Sequence, residues 1–352
     1  MLLYDSYGNS IGVNVENPLA SGAEGVICHI HGKTEKVAKI YKEDKAGQLS
    51  KEKIFAMTNI YKKMDASDKR IISAQITWPE EPLFDDKGCF KGFIMQFVGS
   101  HETLDMAYAQ GDHFTYKQRV GIAKNLCIVV NVMHNKLKKV VGDFNPRNIM
   151  VSTINGTVYL VDSDSFHFRV PQILPNGRSI IRLFPAKVGR PEYEPKELVE
   201  YLLKNRYDLG NCGGLSFTRE SDLFALAIHI FCLLMDGTHP YAVGIDVGKK
   251  QNSISSVNTG LNTNILKERY IYSNNPRIQK NLVGMKIPDY APRFDSRVPK
   301  SMQIMFEQAF VPSMDALEKL KYDNTTEYLP EKTVRPTAGA WYLELHKLYG
   351  RL

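Results

Sequence analysis

The sequence has few cysteines and no long apolar run. Its 352 residues include five widely separated cysteines, Cys28, Cys89, Cys127, Cys212 and Cys232. Because no two of them form a CxxC pair, we expect no structural zinc site. No run of about eighteen apolar residues occurs, so we expect no membrane span and no membrane partner. The N-terminus lacks the basic region of a secretory signal, and scattered thiols without a signal indicate the reducing cytoplasm.

The sequence also lacks a concentrated charge. Its 45 Lys and Arg and 38 Asp and Glu give a formal net charge of +7, and the basic residues are dispersed. A nucleic-acid-binding arm would concentrate them, so we expect no nucleic-acid partner. A mildly basic surface instead suits an anionic ligand. No internal repeat is detectable.

The first ~95 residues have the pattern of strands. Residues 26–30 and 36–41 are β-rich runs separated by a glycine-containing turn, and residues 90–98 read as a buried strand. Between them, apolar residues at helical spacing predict a helix from about Ser50 to Met64, with Ser50 as its N-cap.

The rest of the chain is mostly helical in pattern. One helix, apolar nearly all round, is predicted from about Thr115, a second after Asp222 and a last one near Thr337. His229 lies within the second helix, where we expect a core histidine rather than a metal ligand. The polar segment 243–290 predicts loops or an irregular insert. The sequence therefore predicts an α+β fold with a small β-rich part, residues 1–98, and a larger helical part, residues 99–352.

Three polar residues follow one another at a spacing that suits phosphoryl transfer. Asp143 lies five residues before Asn148, and Asp162 follows Asn148 by fourteen residues, after an apolar run. Carboxylate and amide oxygens are magnesium ligands. We therefore hypothesise that Asp143 meets a substrate hydroxyl, while Asn148 and Asp162 hold Mg²⁺ under the phosphates of a nucleotide.

A turn of small residues, 19–27, precedes these groups. Gly22 and Gly25 would let backbone amides approach phosphates closely, although a plain glycine hairpin explains them nearly as well. Lys39 follows on a predicted strand between apolar residues, where a buried cation needs partners. Phosphate oxygens and one carboxylate would satisfy it, and a lysine that faces solvent from an edge strand is the alternative.

The best candidate for that carboxylate is Glu52 on the next predicted helix. Glu43 and Asp44 are rivals, because the helix register is not fixed by the sequence.

Taken in order, these motifs resemble those of the protein kinase superfamily. The matching segments are Val37-Ala38-Lys39 for V-A-I-K, residues 19–27 for the Gly-rich loop, 143–148 for the catalytic loop H-R-D-x-x-x-x-N, 162–164 for D-F-G, and 189–197 for G-T-P-E-Y-x-A-P-E. The resemblance implies a two-lobed kinase fold, and the cofactors ATP and Mg²⁺, with Mn²⁺ as an alternative. The variant motifs look like a bacterial branch of serine/threonine-kinase-like proteins.

The resemblance also implies a role for each matching residue. Asp143 would be the catalytic base, and Lys39, oriented by Glu52, would contact the phosphates. Ala20, Gly22 and Gly25 would cover the nucleotide, Met95 would be the gatekeeper, and Gln96, Phe97 and Val98 would present backbone groups to adenine. Asn148 and Asp162 would hold the metal ion. Glu197 would be a buried acid paired with Arg335, and Asp222 would brace the backbone of the catalytic loop.

The chain departs from the family pattern at several positions. Val141-Gly142 replaces His-Arg, so no arginine precedes Asp143 and we expect little dependence on activation-loop phosphorylation. Asn145 stands where serine/threonine kinases carry Lys, and Arg147 either supplies that charge or points to solvent. Ser163 and Asp164 replace Phe and Gly. Asp164 adds a carboxylate that can bind a second ion or cap a turn.

The most direct interpretation is an ATP-dependent serine/threonine protein kinase with a protein substrate. The altered loop residues favour, as an alternative, a pseudokinase or nucleotide-binding scaffold. A small-molecule kinase of the aminoglycoside type is a further alternative, but it would need an acidic pocket, and the segment 243–290 has few acids, among them Asp246 and Glu268. Glu197, Asp222 and Arg335 favour the protein kinase, since by resemblance they build the peptide-docking part.

Overall fold

The computed structural model of the chain describes residues 1–99, 101–108, 114–174, 176–186, 189–204, 217–245, 260–313, 315–316 and 332–352. The chain divides into two units. The first comprises Met1–His101 and Tyr159–Asp164, and the second comprises Glu102–Val158 and Ser165–Leu352. The first unit thus includes a short segment that the sequence-based division at residue 98 assigns to the helical part.

The first unit is built on an antiparallel sheet of seven strands. Its strands are β1 (Leu2–Tyr4), β2 (Ser10–Gly12), β3 (Ala20–Ser21), β4 (Gly25–Ile30), β5 (Lys33–Tyr41), β6 (Glu81–Phe84) and β7 (Phe90–Gln96). Their order across the sheet is β2-β1-β6-β7-β5-β4-β3. The strands predicted at 26–30, 36–41 and 90–98 are therefore confirmed as β4, β5 and β7, with small changes at their ends.

Strand β5 lies between β4 and β7 and is buried from Val37 to Tyr41. Because successive side chains of a strand point to opposite faces, Ala38 and Ile40 share one face and Lys39 and Tyr41 the other. Ala38 and Ile40 belong to an apolar core that includes Cys28, Leu83 and Ile94. Lys39 and Tyr41 face away from that core.

Two helices follow β5, namely α1 (Gln48–Lys63) and α2 (Ala66–Ser73). The predicted N-cap at Ser50 is wrong, because α1 begins at Gln48 and Gly47 occupies the cap position without a side-chain hydrogen bond. Helix α2 has a side-chain cap, since Asp65 accepts a hydrogen bond from the amide of Asp68. A tryptophan fixes α1, because Trp78 Nε1 donates to the carbonyl of Met57 at 3.0 Å.

The second unit is mostly helical. Its helices are α3 (Leu104–Tyr108), α4 (Tyr116–Asn131), α5 (Lys196–Lys204), α6 (Arg219–Leu234), α7 (Leu261–Leu266), α8 (Pro276–Gln279), α9 (Phe294–Arg297), α10 (Lys300–Phe310) and α11 (Ala338–Arg351). The described residues also form the strands β8 (His101–Thr103), β9 (Ile149–Ser152), β10 (Val158–Leu160), β11 (Phe168–Ile173), β12 (Ser179–Phe184), β13 (Gly244–Ile245) and β14 (Met285–Lys286).

Helix α6 is the centre of the second unit and is buried along its whole length. This agrees with a sequence that is apolar nearly all round. The helix begins at Arg219, four residues before the predicted start at Leu223, because Thr218 and Ser221 form a capping box. A capping box of Thr115 and Gln118 likewise starts α4, which packs against α6 and α11.

Helix α11 begins as predicted, with Thr337 as its N-cap. No helix within the described ranges is both long and apolar enough to cross a membrane.

The polar segment 243–290 is more regular than predicted, and residues 246–259 of it lie outside the described residues. The prediction of loops is wrong for the short helices α7 and α8. A buried asparagine anchors α7, because Asn264 Nδ2 donates to the carbonyl of Tyr241 at 2.9 Å. Asn275 caps α8 by accepting a hydrogen bond from the amide of Arg277.

A glycine in β7 allows the close approach of β5. A Cβ atom at Gly92 would lie 1.9 Å from the carbonyl oxygen of Lys39. We therefore expect Gly92→Ala to lower the free energy of unfolding by about 1–3 kcal/mol, because the strands must shift. Denaturant unfolding of the whole chain measures this loss. Gly350→Ala is the control, since no atom lies within 4 Å of its added methyl group. Equal stability of both variants would contradict the prediction.

Candidate active site

In the first unit, Lys39 lies in a group of carboxylates. Its Nζ atom lies 2.8 and 2.7 Å from the two carboxylate oxygens of Asp164 and 2.7 Å from Oδ1 of Asp162. A third carboxylate, that of Glu24, is 3.8 Å away. Lys39 is only 5% exposed, so the alternative of a lysine that faces solvent from an edge strand is wrong.

These contacts keep the buried lysine charged. Burial alone lowers the pKa of Lys39, but the charges of Asp164 and Asp162 and their hydrogen bonds outweigh it, so the pKa lies above its ordinary value. The same pairing acts in reverse on Asp164. Burial raises the pKa of that carboxyl, and the charge of Lys39 with hydrogen bonds from Lys39 and Tyr41 brings it below its ordinary value. The cluster is therefore an ion pair and not a neutral hydrogen-bonded group.

Residues 162–164 have a fixed conformation within the first unit. Asp162 has a φ of +57°, the left-handed region that Asp tolerates better than most residues. Ser163 is buried, and its hydroxyl donates to the carbonyl of Thr77 at 2.6 Å. Tyr41 donates its hydroxyl to Asp164 at 2.5 Å. The serine and aspartate that replace Phe and Gly of the family motif thus form specific bonds.

The carboxylate predicted to orient Lys39 has another partner. Glu52 accepts a hydrogen bond from Gln48 on the same helix. Among the described residues, the ion-pair partners of Lys39 are Glu24, Asp162 and Asp164. Of its rivals, Glu43 is exposed and Asp44 pairs with Lys45 on the surface. The sequence predicts a partner on α1 and assigns Asp164 to a second ion or a turn cap, because nothing local to β5 points to a partner 125 positions away.

The small-residue turn closes a hairpin. The amide of Gly22 donates to the carbonyl of Gly25 at 2.9 Å, and Ala20 pairs with Ile27 in the sheet. A Cβ atom at Gly25 would lie 2.3 Å from the carbonyl oxygen of Ile40. Gly25 is therefore required by strand packing, whereas Gly22 has open space around it. Gly92, which the sequence analysis missed, has the same packing role as Gly25, and an isolated glycine inside a strand is its signal.

The residues predicted to contact adenine lie at the end of β7. Met95 is buried and pairs with Val37 of β5, while Gln96 accepts a hydrogen bond from Lys36 at 3.0 Å. The amide of Phe97 donates to the carbonyl of Glu35. Together with half-buried Val98, they stay predicted binding residues.

In the second unit, the loop 141–148 carries the predicted base. Asn148 Nδ2 donates to the backbone carbonyl of Asp143 at 3.0 Å and lies 3.3 Å from its carboxylate. The structure therefore brings Asp143 and Asn148 together. Asn145 is buried and caps the short turn 146–148 by accepting a hydrogen bond from the amide of Arg147. Arg147 itself is 65% exposed, so its side chain points towards solvent.

Gly142 occupies a position that has no room for a side chain. Its φ is +85°, and a Cβ atom there would lie 2.9 Å from the Cβ of Ala186 and 3.2 Å from that of His167. A side chain at this position would be both strained and crowded. The glycine before Asp143 is thus required by the local packing of the loop.

Helix α6 braces this loop. The carboxylate of Asp222 accepts hydrogen bonds from the amides of Val141 at 2.8 Å and Gly142 at 3.0 Å. It also lies 2.8 Å from Nε2 of His134, which belongs to a single π-helical turn that ends α4. The role predicted for Asp222 matches these contacts. Two turns later on the helix, His229 is fully buried, as expected of a core histidine.

Arg335 has two acidic partners. It lies 3.3 Å from the carboxylate of Glu197, as predicted, and 3.6 Å from that of Glu220. The prediction that Glu197 is buried is wrong, because its side chain is 40% exposed. Glu220 is the buried acid, and its carboxylate also accepts hydrogen bonds from the amides of Val334 and Arg335. The position of Glu220 in the first turn of α6, two residues before Asp222, is the sequence signal for this acid.

A further acid, Glu194, is buried, and the charge of Asp143 in the loop 141–148 acts on it. Neither oxygen of its carboxyl group has a hydrogen-bond partner among the described residues. Burial raises the pKa of Glu194 well above its ordinary value, and the negative charges of Asp143, Asp222 and Glu197 raise it further. Folding therefore favours the neutral form of the Glu194 carboxyl group over its charged form.

The fit to a metal ion rests on the type of donor atom. Asp162 and Asn148 offer carboxylate and amide oxygens, the ligands that Mg²⁺ prefers. The side chain of Asp162 is 41% exposed, so it is accessible to a ligand. Within the described part of the chain, no three His, Cys, Asp or Glu side chains form a metal-binding group of their own.

The chain is similar to proteins that are named as kinases. It is 29% identical over 357 residues to a protein named protein kinase YegI from Escherichia coli O157:H7, a match that covers 99% of this chain and 46% of that protein. It is also 29% identical over 341 residues to the protein of the same name from Escherichia coli strain K12, with 95% of this chain and 44% of that protein covered.

These similarities support a kinase-like family for the chain. The chain spans less than half the length of the curated relatives that it matches. No protein-family model matches it. The observed sheet and helices are compatible with the α+β class.

The raised pKa of Glu194 gives a prediction for the pH dependence of stability. When folding raises the pKa of a carboxyl group, that group favours the folded state most at a pH below its unfolded pKa of about 4.3. The free energy of unfolding then falls as the pH rises from this value towards the pKa of the folded state. We expect Glu194→Gln to remove the effect. Relative to the variant, the native chain should lose up to about 1.4 kcal/mol of unfolding free energy per pH unit in that window.

Denaturant unfolding at several pH values from 4 to 8 measures this difference. Glu192→Gln is the matched control, since Glu192 is a half-buried neighbour. A constant difference between native chain and Glu194→Gln across the range would contradict the prediction.

Proposed function

We propose that the chain is an ATP-dependent phosphotransferase with the two-lobed protein kinase fold, and that it transfers the γ-phosphate to a serine or threonine hydroxyl of a protein. One observation carries the proposal. Buried Lys39 and half-exposed Asp162, 123 residues apart in sequence, meet at 2.7 Å. A lysine for the phosphates beside a carboxylate for their metal ion is the pairing that phosphoryl transfer uses.

The first unit would bind the nucleotide. Lys39 contacts the α- and β-phosphates, and its position is fixed by Asp164. The hairpin turn with Ala20, Gly22 and Gly25 covers the phosphates. Met95 limits the adenine pocket, and Gln96 and Val98 offer it backbone groups. The exposure of Gly22 supports this assignment, whereas Gly25 is buried.

Asn148 and Asp162 would hold Mg²⁺, or Mn²⁺. A bound divalent cation neutralises the charge that develops on the phosphates and on the leaving ADP. Asn148 turns its Nδ2 towards Asp143, so its amide oxygen is the atom for the cation. Asp162 can exchange its contact with Lys39 for the cation, since Lys39 keeps two bonds to Asp164.

Asp143 would act on the substrate hydroxyl. Its carboxylate orients the hydroxyl and accepts its proton as the oxygen bonds to the γ-phosphorus. The bond between the γ-phosphorus and the bridging oxygen breaks, and ADP leaves with that electron pair. The bonds from Val141 and Gly142 to Asp222 hold the loop that carries Asp143, so the carboxylate is positioned before substrate arrives.

Removal of either carboxylate tests the proposal. We expect Asp143→Asn and Asp162→Asn to lower phosphate transfer from radiolabelled ATP by about 10²–10⁴-fold, because proton acceptance or metal binding is lost. Asp86→Asn, an exposed site in the first unit, is the matched control. The assay uses autophosphorylation and a panel of serine and threonine peptides, with Mg²⁺ or Mn²⁺. Transfer by both variants at the native rate would refute the proposal.

A nucleotide-binding scaffold is the second candidate, favoured by the double pairing of Lys39. Two carboxylates already satisfy this lysine, so the site is stable without transfer. Thermal shift with MgATP separates the candidates when it is run beside the transfer assay. Stabilisation without transfer to any peptide, or to aminoglycoside acceptors added to the panel, would favour the scaffold.

The role of Asp164 gives a second test. We expect Asp164→Asn to lower kcat/KM for ATP by about 10–100-fold, because Lys39 loses the partner that fixes it. Asp86→Asn again serves as the control. Glu52→Gln decides between the two candidate partners. If it lowered kcat/KM more than Asp164→Asn does, Lys39 would be oriented from α1.

A further inference from the structure

Two buried histidines of the second unit bond to the backbones of two loops. His229 of α6 places Nε2 2.9 Å from the carbonyl oxygen of Phe144, the residue after Asp143. His239, which follows the end of the same helix, places Nε2 3.0 Å from the carbonyl oxygen of Glu192. Both side chains are buried. Helix α6 and the residues that follow it thus supply one hydrogen-bond donor to each loop.

The second nitrogen of each ring fixes its tautomer. The hydroxyl of Tyr108 bonds to Nδ1 of His229, and the amide of Tyr241 donates to Nδ1 of His239 at 3.2 Å. A carbonyl oxygen can only accept, so Nε2 carries the hydrogen in both rings. Each histidine is therefore a neutral group with both nitrogens satisfied.

Neutrality persists over the physiological pH range. Burial lowers the pKa of His229 to about 3 and that of His239 to about 4. These rings do not titrate between pH 5 and 8, so their hydrogen bonds do not vary there.

One tyrosine connects the two histidines. The ring of Tyr193 stacks on His229, with 5.1 Å between centroids and 28° between planes. It meets His239 edge to face at 6.2 Å. Tyr193 ends the short turn Pro191–Tyr193, which also contains Glu192. The catalytic-loop carbonyl and this turn are therefore tied to the same aromatic group.

Helix α6 bonds to the loop of Asp143 at two places. Asp222 and His229 are seven residues apart, so they lie on the same face of α6. Asp222 accepts from two amides before Asp143, and His229 donates to the carbonyl after it. The helix therefore holds the loop on both sides of Asp143.

We propose that His229 and His239 are positioning residues for phosphate transfer, which fix the loop of Asp143 relative to the turn Pro191–Tyr193. This inference rests on the proposed function. They contact neither nucleotide nor substrate, and they act through the carbonyls of Phe144 and Glu192. Because a misplacement of about 1 Å at a reacting group costs up to about 100-fold in rate, loss of either donor should lower kcat and leave ATP binding intact.

Substitutions that keep or remove the donor test this role. Glutamine carries an amide NH₂ that can replace the Nε2 donor, whereas phenylalanine keeps the ring shape without a donor. We expect His229→Phe and His239→Phe to lower kcat at least about tenfold, with KM for ATP changed less than about twofold. His229→Gln and His239→Gln should recover most of kcat. His346→Phe, an exposed site on α11, is the control.

A second measurement does not depend on activity. Hydrogen exchange of the loop amides 142–148, followed by mass spectrometry, should be at least about tenfold faster in His229→Phe than in the native chain or in His229→Gln, because loop opening costs less. If His229→Phe does not fold, His229→Asn takes its place, since its shorter side chain cannot reach the carbonyl of Phe144.

The contrary outcomes are distinct from a failure of the proposed function. Native kcat and native loop exchange in the Phe variants would overturn the inference, as would equal losses in the Gln and Phe variants. If the native chain transfers no phosphate, the proposed function fails, and the exchange experiment alone still decides whether the histidines hold the loop.

Discussion

The first unit depends on one buried charge, that of Lys39. A lysine in the middle strand of a sheet is costly unless carboxylates reach it. No partner is supplied by β5 itself, and the two closest, Asp162 and Asp164, come more than 120 residues later. The segment Tyr159–Asp164, which carries both carboxylates, belongs to the first unit. The glycines of β4 and β7 serve the same strand, because they let its neighbours approach closely.

The second unit solves a different electrostatic problem. The acids Asp143, Asp222 and Glu194 influence one another, and no arginine precedes Asp143. The backbone amides of Val141 and Gly142 donate hydrogen bonds to Asp222 and so stabilise its carboxylate. Burial raises the pKa of Glu194 and so favours its neutral form. The loop that carries Asp143 is thus built on a glycine and on neutral hydrogen-bond donors.

The sequence was a good guide to local structure and a poorer guide to distant partners. Periodicity and caps located α4, α11 and the strands β4, β5 and β7, because these features arise from neighbours in sequence. The same logic identified Lys39, Asp143, Asn148 and Asp162 as candidates. It placed the partner of Lys39 at Glu52 and the buried acid at Glu197. Both choices depend on which face of a helix is buried, and tertiary packing decides that.

Residues 162–164, which resemble the D-F-G motif of protein kinases, have Ser163 and Asp164 in place of its phenylalanine and glycine. Without the phenylalanine, residues 162–164 cannot be held by packing of its ring. The hydroxyl of Ser163 bonds to the carbonyl of Thr77 instead, and Asp164 joins Lys39 and Tyr41. Directional bonds therefore replace apolar packing. Such bonds cannot slide, whereas a packed ring can exchange one apolar pocket for another. A segment held in this way favours one conformation.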